Sequence, residues 1–406
     1  MRQICKNGIK IIVMTGLVFI LAVSSVSAYF KSGMHREGDS ALFFKTYPQL
    51  IGTRLDGCEV CHVRTTAIPH GQENGTPVRM NACDSCHMLT DYGRKPGNTL
   101  TPYGIDYLKH GRAAGALYAI EKLDSDGDGV SNGDELAAIT NPGDPQSVPG
   151  TKPSAHVVFS YDDLIKKGVA VIEQALFVNV NRGGGSGGDR YTDVKGFPLI
   201  EVLEAAGLSE DAVSVDVISI DGFSTTFSIE QLRRMHPQSA PVFGLDKEAL
   251  GECGWVRYEA KNLKEGVPLP DAKILLSFEE GGRIYDPARI NSEGRLNGSG
   301  PFRIAAPQLR NPGVPDIAVN APKECTLKVP EKHRYNRDYE KNGDYNVMAV
   351  VALRVNPIPP GEIDIDWPQY TKNAIEEKSV VIFGALRTYG TAFGSGSSGA
   401  KGGYTR

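Results

Sequence analysis

Four of the seven cysteines fall into two copies of one pattern, Cys58-Glu59-Val60-Cys61-His62 and Cys83-Asp84-Ser85-Cys86-His87, with twenty residues between His62 and Cys83. Two thiols at this spacing reach the two vinyl groups of one porphyrin, and a His directly after the second thiol turns its imidazole onto the iron. The pattern predicts two covalently attached haem c groups. Cys58, Cys61, Cys83 and Cys86 form the thioether bonds, and His62 and His87 are the proximal iron ligands. A pair of redox disulfides, or a zinc site built from the two Cys-x-x-Cys pairs, uses the same thiols but leaves the His after both motifs without a reason. The short separation also implies haems close enough for rapid electron exchange.

The sixth iron position is open to several side chains. His35, His70 and His110 are the nearby histidines, and Met34, Met80 and Met88 the nearby thioethers. A second His sets a lower haem potential than Met does. His70 stands between Pro69 and Gly71, and His110 closes a polar stretch after Pro102-Tyr103-Gly104. A solvated surface His is the alternative for each. This region resembles the c-type cytochromes, and the resemblance rests on the ten residues of the two motifs. It implies a small, mainly α haem c domain at 29–122 whose partners are redox proteins, other cytochromes among them.

The start of the chain fits that compartment. Arg2, Lys6 and Lys10 precede an apolar run from Ile11 to Val23, and Val26-Ser27-Ala28 offers small residues to a signal peptidase. The run is shorter than the ~20 apolar residues of a membrane span. Residues 1–28 therefore read as an export signal, with an uncleaved N-terminal anchor as the alternative, and the expected destination is the periplasm or the cell surface. Losing Arg2, Lys6 and Lys10 moves the formal net charge from −4 to −7. No basic field is left for nucleic acid, and no later stretch is apolar enough to span a bilayer.

From Asp124 to Glu135 the chain reads Asp-Ser-Asp-Gly-Asp-Gly-Val-Ser-Asn-Gly-Asp-Glu, which fits a twelve-residue calcium loop with oxygen ligands at positions 1, 3, 5, 7, 9 and 12. Asp124, Asp126 and Asp128 supply carboxylates and Val130 its carbonyl. Asn132 acts directly or through water, and Glu135 gives a bidentate carboxylate. Gly129 takes the sharp turn. Ala113, Leu117 and Ile120 fit one face of an entering helix, and Leu136 and Ile139 begin an exiting one stopped at Asn141-Pro142-Gly143. The alternative is a solvated acidic loop. One calcium ion at 123–148, in a compartment rich in it, locks a fold rather than senses a signal.

At 406 residues the chain is long enough for two or three domains. The Pro/Gly-rich stretch 141–153 reads as a semi-rigid connector, its core at 149–155. Beyond it the pattern is α+β and sheet-rich: strands are predicted at 156–159, within 169–180, and at 274–278, 347–355 and 380–383. Ser160-x-x-Asp163 can cap a helix, Leu199, Val202, Leu203 and Ala206 give helical spacing, and Val213, Val215 and Val217 alternate as in a half-buried strand.

Asp193-x-Lys-Gly-Phe-Pro-Leu-Ile-Glu-Val-Leu-Glu-Ala-Ala-Gly207, Ile220-Asp-Gly-Phe223 and Arg295-Leu-x-Gly-x-Gly-Pro-Phe-Arg-Ile-x-x-Pro307 resemble the molybdopterin-binding domain of the sulfite oxidase family, over 156–387. In that family a cysteine thiolate in a Cys-x-Gly-Asn-Arg segment binds molybdenum. The matching place here reads Leu176-Phe-Val-Asn-Val-Asn-Arg182, without a thiol and followed by the glycine run 183–188. A soft thiolate is hard to replace, so the resemblance carries the fold and not molybdopterin catalysis. The glycine run lacks the spacing of a phosphate-binding loop. Cys253 and Cys325 are the remaining thiols of the exported chain and are expected to pair in an oxidising compartment. A Gly/Ser tail follows at 388–406.

Two functions compete at this level. One is an exported dihaem electron carrier with a docking or assembly domain, self-assembly included. The other is a molybdopterin-dependent oxidoreductase of sulfite oxidase type with haems as its electron exit. The missing cysteine favours the carrier.

Overall fold

The computed structural model describes residues 38–56, 60, 70–73, 76–78, 100–179, 189–238, 241–245, 256–290, 296–309, 312–317, 323–336, 339–340 and 342–387. Over these residues the fold is α+β, rich in sheet, and built from several sheets.

Two larger sheets form most of the C-terminal part. The first runs Arg283–Ile284, Leu275–Glu280, Arg190–Pro198, Ile172–Val178, with Arg303–Ala305 pairing to Leu275–Glu280 and Arg257–Tyr258 to Arg190–Pro198. The second is ordered His156–Ser160, Ser379–Gly384, Val350–Asn356, Ser214–Ser219, Ser224–Ser228. It is mixed: Val350–Asn356 runs parallel to Ser379–Gly384 and antiparallel to Ser214–Ser219. One core joins the sheets. Phe197, Leu276 and Ile304 from the first pack with Val215, Val217, Leu353 and Ile382 from the second, and with Leu199, Val202 and Leu203 of the helix Leu199–Ala205. Each such side chain contributes about 1.5–3 kcal/mol on leaving water.

Local signals set the ends of these elements. Ser160 and Asp163 close a capping box on the helix Tyr161–Lys166, and Gly168 follows it with φ +79°, the left-handed conformation that a side chain disfavours. Gly196-Phe197-Pro198 closes a strand and Leu199 opens a helix. At Gly196 a Cβ would lie 2.5 Å from Cα of Ser277 and 2.6 Å from the carbonyl oxygen of Leu276. Only glycine lets the 190–198 and 275–280 strands approach this closely.

The predicted strand around Val213, Val215 and Val217 exists but is not half-buried. All six positions of Ser214–Ser219 are buried. The second face of the sheet is covered by Ile365, Trp367 and Ala374, which pack on Ile218, Val351 and Phe383. An alternating pattern reports a strand; it does not report what later covers its polar side. Asp216, on that strand, is accommodated by Arg354, whose Nη1 lies 3.4 Å from Asp216 Oδ2 and whose Nε donates to Asp364 Oδ1 at 2.7 Å.

The N-terminal part contains the helices Asp39–Thr46, Pro102–Lys109, Ala114–Ile120 and Asn132–Ala137 and a ribbon of His70–Glu73 against Thr76–Val78. Phe43, Phe44, Leu50, Val60, Tyr103, Leu117, Ile120 and Leu136 share one core. The small mainly α haem unit expected at 29–122 is not marked off by these elements, because the cysteines and histidines of both motifs fall outside the described residues. The Pro/Gly stretch is stitched down rather than loose. Asn141 N donates to Ser147 Oγ at 2.8 Å, and Lys152–Pro153 pairs in parallel with Glu362–Ile363. Among the described residues no helix is long and apolar enough to cross a membrane.

Candidate metal centre

The acidic segment 124–135 winds around the carboxylate of Asp124. Its Oδ1 accepts from Gly127 N at 2.8 Å and Asp128 N at 3.2 Å, and its Oδ2 from Gly129 N at 2.9 Å. Gly127 and Gly129 make the winding feasible, with φ of +82° and +95°. Asp128 Oδ1 accepts from Val130 N at 2.8 Å, which sets the peptide of Val130 at the seventh position. One oxygen each of Asp124, Asp126 and Asp128 lies within 4.8 Å of the others.

Glu135 stands on the exit helix Asn132–Ala137, whose N-cap Ser131 accepts from Asp134 N, near enough to feel the charges of the three aspartates. It is fully buried, and neither carboxylate oxygen has a hydrogen-bond partner; Oδ2 of Asp126 and Oδ2 of Asp128 are likewise buried and unpartnered. Burial, then the charges of Asp126, Asp128 and Asp124, push Glu135 up to about 8. Burial and Asp128 push Asp126 up to about 6. Asp126 and Asp128, each with one buried oxygen unsatisfied, and Glu135 with both are costly beside Asp124 unless a cation completes them. Hard oxygen ligands at this loop spacing suit calcium, so the residues fit the ion.

Asn132 stands at the ninth position, but its side chain is spent on the loop itself. Its Oδ1 accepts from Ser125 N at 3.1 Å, and its Nδ2 donates to Ile120 O at 2.7 Å and Ser125 Oγ at 2.9 Å. It ties the loop's entrance to its exit, a use that no ligand pattern announces. Ala116, Leu117 and Ile120 bury the entering helix. The exit helix ends at Ala137, before Asn141-Pro142-Gly143, because Ile139 turns left-handed at φ +57°.

Cys58, Cys61, Cys83, Cys86, His62, His87 and His35 lie outside the described residues, as do Met34, Met80 and Met88. Of the distal candidates, His70 opens a strand of the ribbon, and His110 is exposed at the end of the helix Pro102–Lys109, its Nδ1 2.8 Å from Asp106 O. What surrounds the first motif is better defined. Val60, between Cys58 and Cys61 in the chain, is buried in the N-terminal core, and its carbonyl accepts from Thr101 Oγ1 at 2.8 Å. The same Oγ1 accepts from Gly104 N at 3.1 Å and caps the helix of Tyr103 and Tyr107.

Sequence reasoning missed Arg54. Its Nε donates to Ile139 O at 2.7 Å and its backbone N to Asp366 Oδ1 at 2.8 Å. Its Nη2 also donates to Ile139 O, and its Nη1 to Asp364 O. Nothing local flags a lone arginine whose acceptors are distant in the chain.

In the C-terminal part, the strand Ile172–Val178 ends at buried Val178 and Asn179. The Asn179 amide N donates to Asn342 Oδ1 at 2.7 Å, and both polar atoms of the Asn179 side chain are buried without a partner. The glycine run 183–188 is outside the described residues. Among the described residues Cys325 is the only cysteine, and it is disulfide-bonded. Its partner therefore lies outside them, as Cys253 does. A carboxamide and a valine do not fit the thiolate that a molybdenum centre of the sulfite oxidase type requires. No protein-family model, no curated protein and no solved structure matches this chain.

Proposed function

We propose that this chain is an exported dihaem c-type cytochrome that passes electrons between redox proteins, carrying a calcium-locked loop beside its haem region and a sulfite-oxidase-like C-terminal unit used for docking or assembly. The observation that carries the reading is the pair of complete Cys-x-x-Cys-His motifs. Bound haem supplies a one-electron iron couple. The chain's part is to hold it: Cys58, Cys61, Cys83 and Cys86 by thioether bonds, His62 and His87 at the two irons, and His70, His110 and His35 as the candidates for their far sides. Val60, clamped by Thr101 within the core, would keep the first motif from swinging. Asp124, Asp126, Asp128 and Glu135, with the carbonyl of Val130, would hold one calcium ion.

The leader at 1–28 supports export to the periplasm or the cell surface. For the C-terminal unit, the absence of a thiol at the end of the 172–178 strand supports a surface role over molybdenum chemistry. The deciding experiment is haem quantitation as the pyridine haemochrome, with metal analysis, on protein from its native host. Two haems and one calcium per chain without molybdenum are expected. Fewer than two haems defeats the carrier, and stoichiometric molybdenum turns the reading to the oxidoreductase.

A further inference from the structure

Three parts of the chain meet at one guanidinium. Arg54 lies four residues before Cys58. Its Nε and Nη2 both donate to the carbonyl of Ile139, which follows the exit helix of the acidic loop. Its Nη1 donates to the carbonyl of Asp364, and its backbone N to Asp366 Oδ1 at 2.8 Å. Asp364 in turn is held to the second sheet, through Arg354 Nε at 2.7 Å and on to Asp216. A continuous polar chain therefore runs from that sheet to the loop.

The loop end of this chain is under tension. Ile139 has φ +57°, a conformation that a β-branched side chain rarely adopts. Its carbonyl is turned toward Arg54, and the two guanidinium donors hold it there. The lever between Ile139 and the carboxylate cluster is short: Ile139 N donates to Leu136 O at 3.3 Å, and Thr140 N to Glu135 O at 2.8 Å. A shift of the Glu135 side chain onto an ion must therefore move, or be resisted by, the peptide that Arg54 grips. A second link runs alongside. A Cβ on Gly143 would lie 2.6 Å from Thr101 Cβ, so the segment after the loop sits directly on the residue that holds Val60 between the first two cysteines.

We propose that Arg54 is the positioning residue that couples cation occupancy of the 124–135 loop to the clamping of both the segment entering Cys58 and the sheet unit. This rests on the reading of that loop as a calcium site. Without a cation neither Glu135 oxygen has a partner, so the loop's acids are not tied to the left-handed turn at Ile139. With the cation bound, Glu135 is drawn in, and the turn, the Arg54 fork and the 362–366 segment form one rigid joint. Coupling of this kind is reciprocal: whatever calcium does for the joint, the joint does for calcium affinity.

The test uses the full-length holoprotein with calcium as the probe, reading calcium Kd by titration and amide hydrogen exchange over 52–56 and 362–366. In the parent, calcium should slow exchange in both segments. Arg54→Gln should weaken calcium binding by about 10-fold and abolish the calcium effect at 362–366. Arg54→Lys keeps the charge, but its single ammonium does not span two carbonyls, so it should fall between the two; it also serves if Arg54→Gln fails to fold. A variant that binds calcium with the parent's Kd and keeps calcium-dependent protection at 362–366 overturns the coupling. If the parent itself takes up no calcium, the reading of the loop fails first, before any variant is made.

Discussion

Glu135→Gln separates a metal site from a solvated acidic turn, because the two readings differ in sign as well as size. Oxygens of Asp124, Asp126 and Asp128 lie within 4.8 Å of one another. At an effective dielectric of about 20, two full charges at that separation repel by about 3 kcal/mol, and partial exposure screens this to about 1 kcal/mol. Glu135 adds a fourth carboxylate, fully buried and without a hydrogen bond. With its carboxyl pushed up to about 8, it holds its proton at neutral pH when no cation is present, and glutamine of nearly equal shape then replaces it at little cost. In chelator the variant should match the parent or exceed it by up to about 1 kcal/mol. Calcium reverses the order. At a hundredfold excess over Kd the ion stabilises the parent by about 2.7 kcal/mol, whereas a variant with a hundredfold weaker site gains about 0.4 kcal/mol. Denaturant unfolding in chelator and in millimolar calcium gives all four stabilities. Equal calcium gains in parent and variant, or a variant clearly weaker than the parent in chelator, would refute the reasoning. With haem attached as proposed, its content should be unchanged throughout, since thioether bonds are covalent.

Two further outcomes concern the sheet unit. Gly196→Ala forces a Cβ to 2.5 Å from Ser277 Cα and should cost upwards of about 2 kcal/mol, seen as a lower midpoint of denaturant unfolding; an unchanged midpoint would mean the two strands part easily. Asp316 is buried, with its Oδ2 accepting from Asn336 N at 3.0 Å and its backbone N donating to Asp189 Oδ2 at 2.9 Å. Burial raises its carboxyl from 3.8 to about 6. The folded state thus binds the proton more tightly than the unfolded one, so this group's contribution is complete below about pH 4 and is lost as pH rises toward 6. Asp316→Asn should remove that loss and be the more stable form above pH 6, and a parent-like pH profile in the variant would count against it.

Several features were legible in the sequence for physical reasons that act over a few residues. The twelve-residue acidic loop was readable because the spacing of its acids and the left-handed turn at Gly129 are local requirements; the left-handed Gly127 was not singled out. The same holds for the Ser160–Asp163 capping box and the helix that opens at Leu199. The cysteine motifs are read from their spacing alone, an expectation whose cysteines and histidines lie outside the described residues. What the tertiary structure decided are contacts between distant segments. It buried both faces of the 214–219 strand by laying Ile365 and Trp367 on its outer side. It spent Asn132 on Ser125 and Ile120, and it offered Arg54 to the carbonyl of Ile139, two residues past the end of the exit helix. Burial did the same to the acids: Asp316 and Glu135 are raised first by desolvation, which only folding supplies, with the loop's own aspartates adding to it at Glu135. A sequence states which groups a residue owns; which of them lose water, and to what they then turn, is set by the packing of segments far apart in the chain.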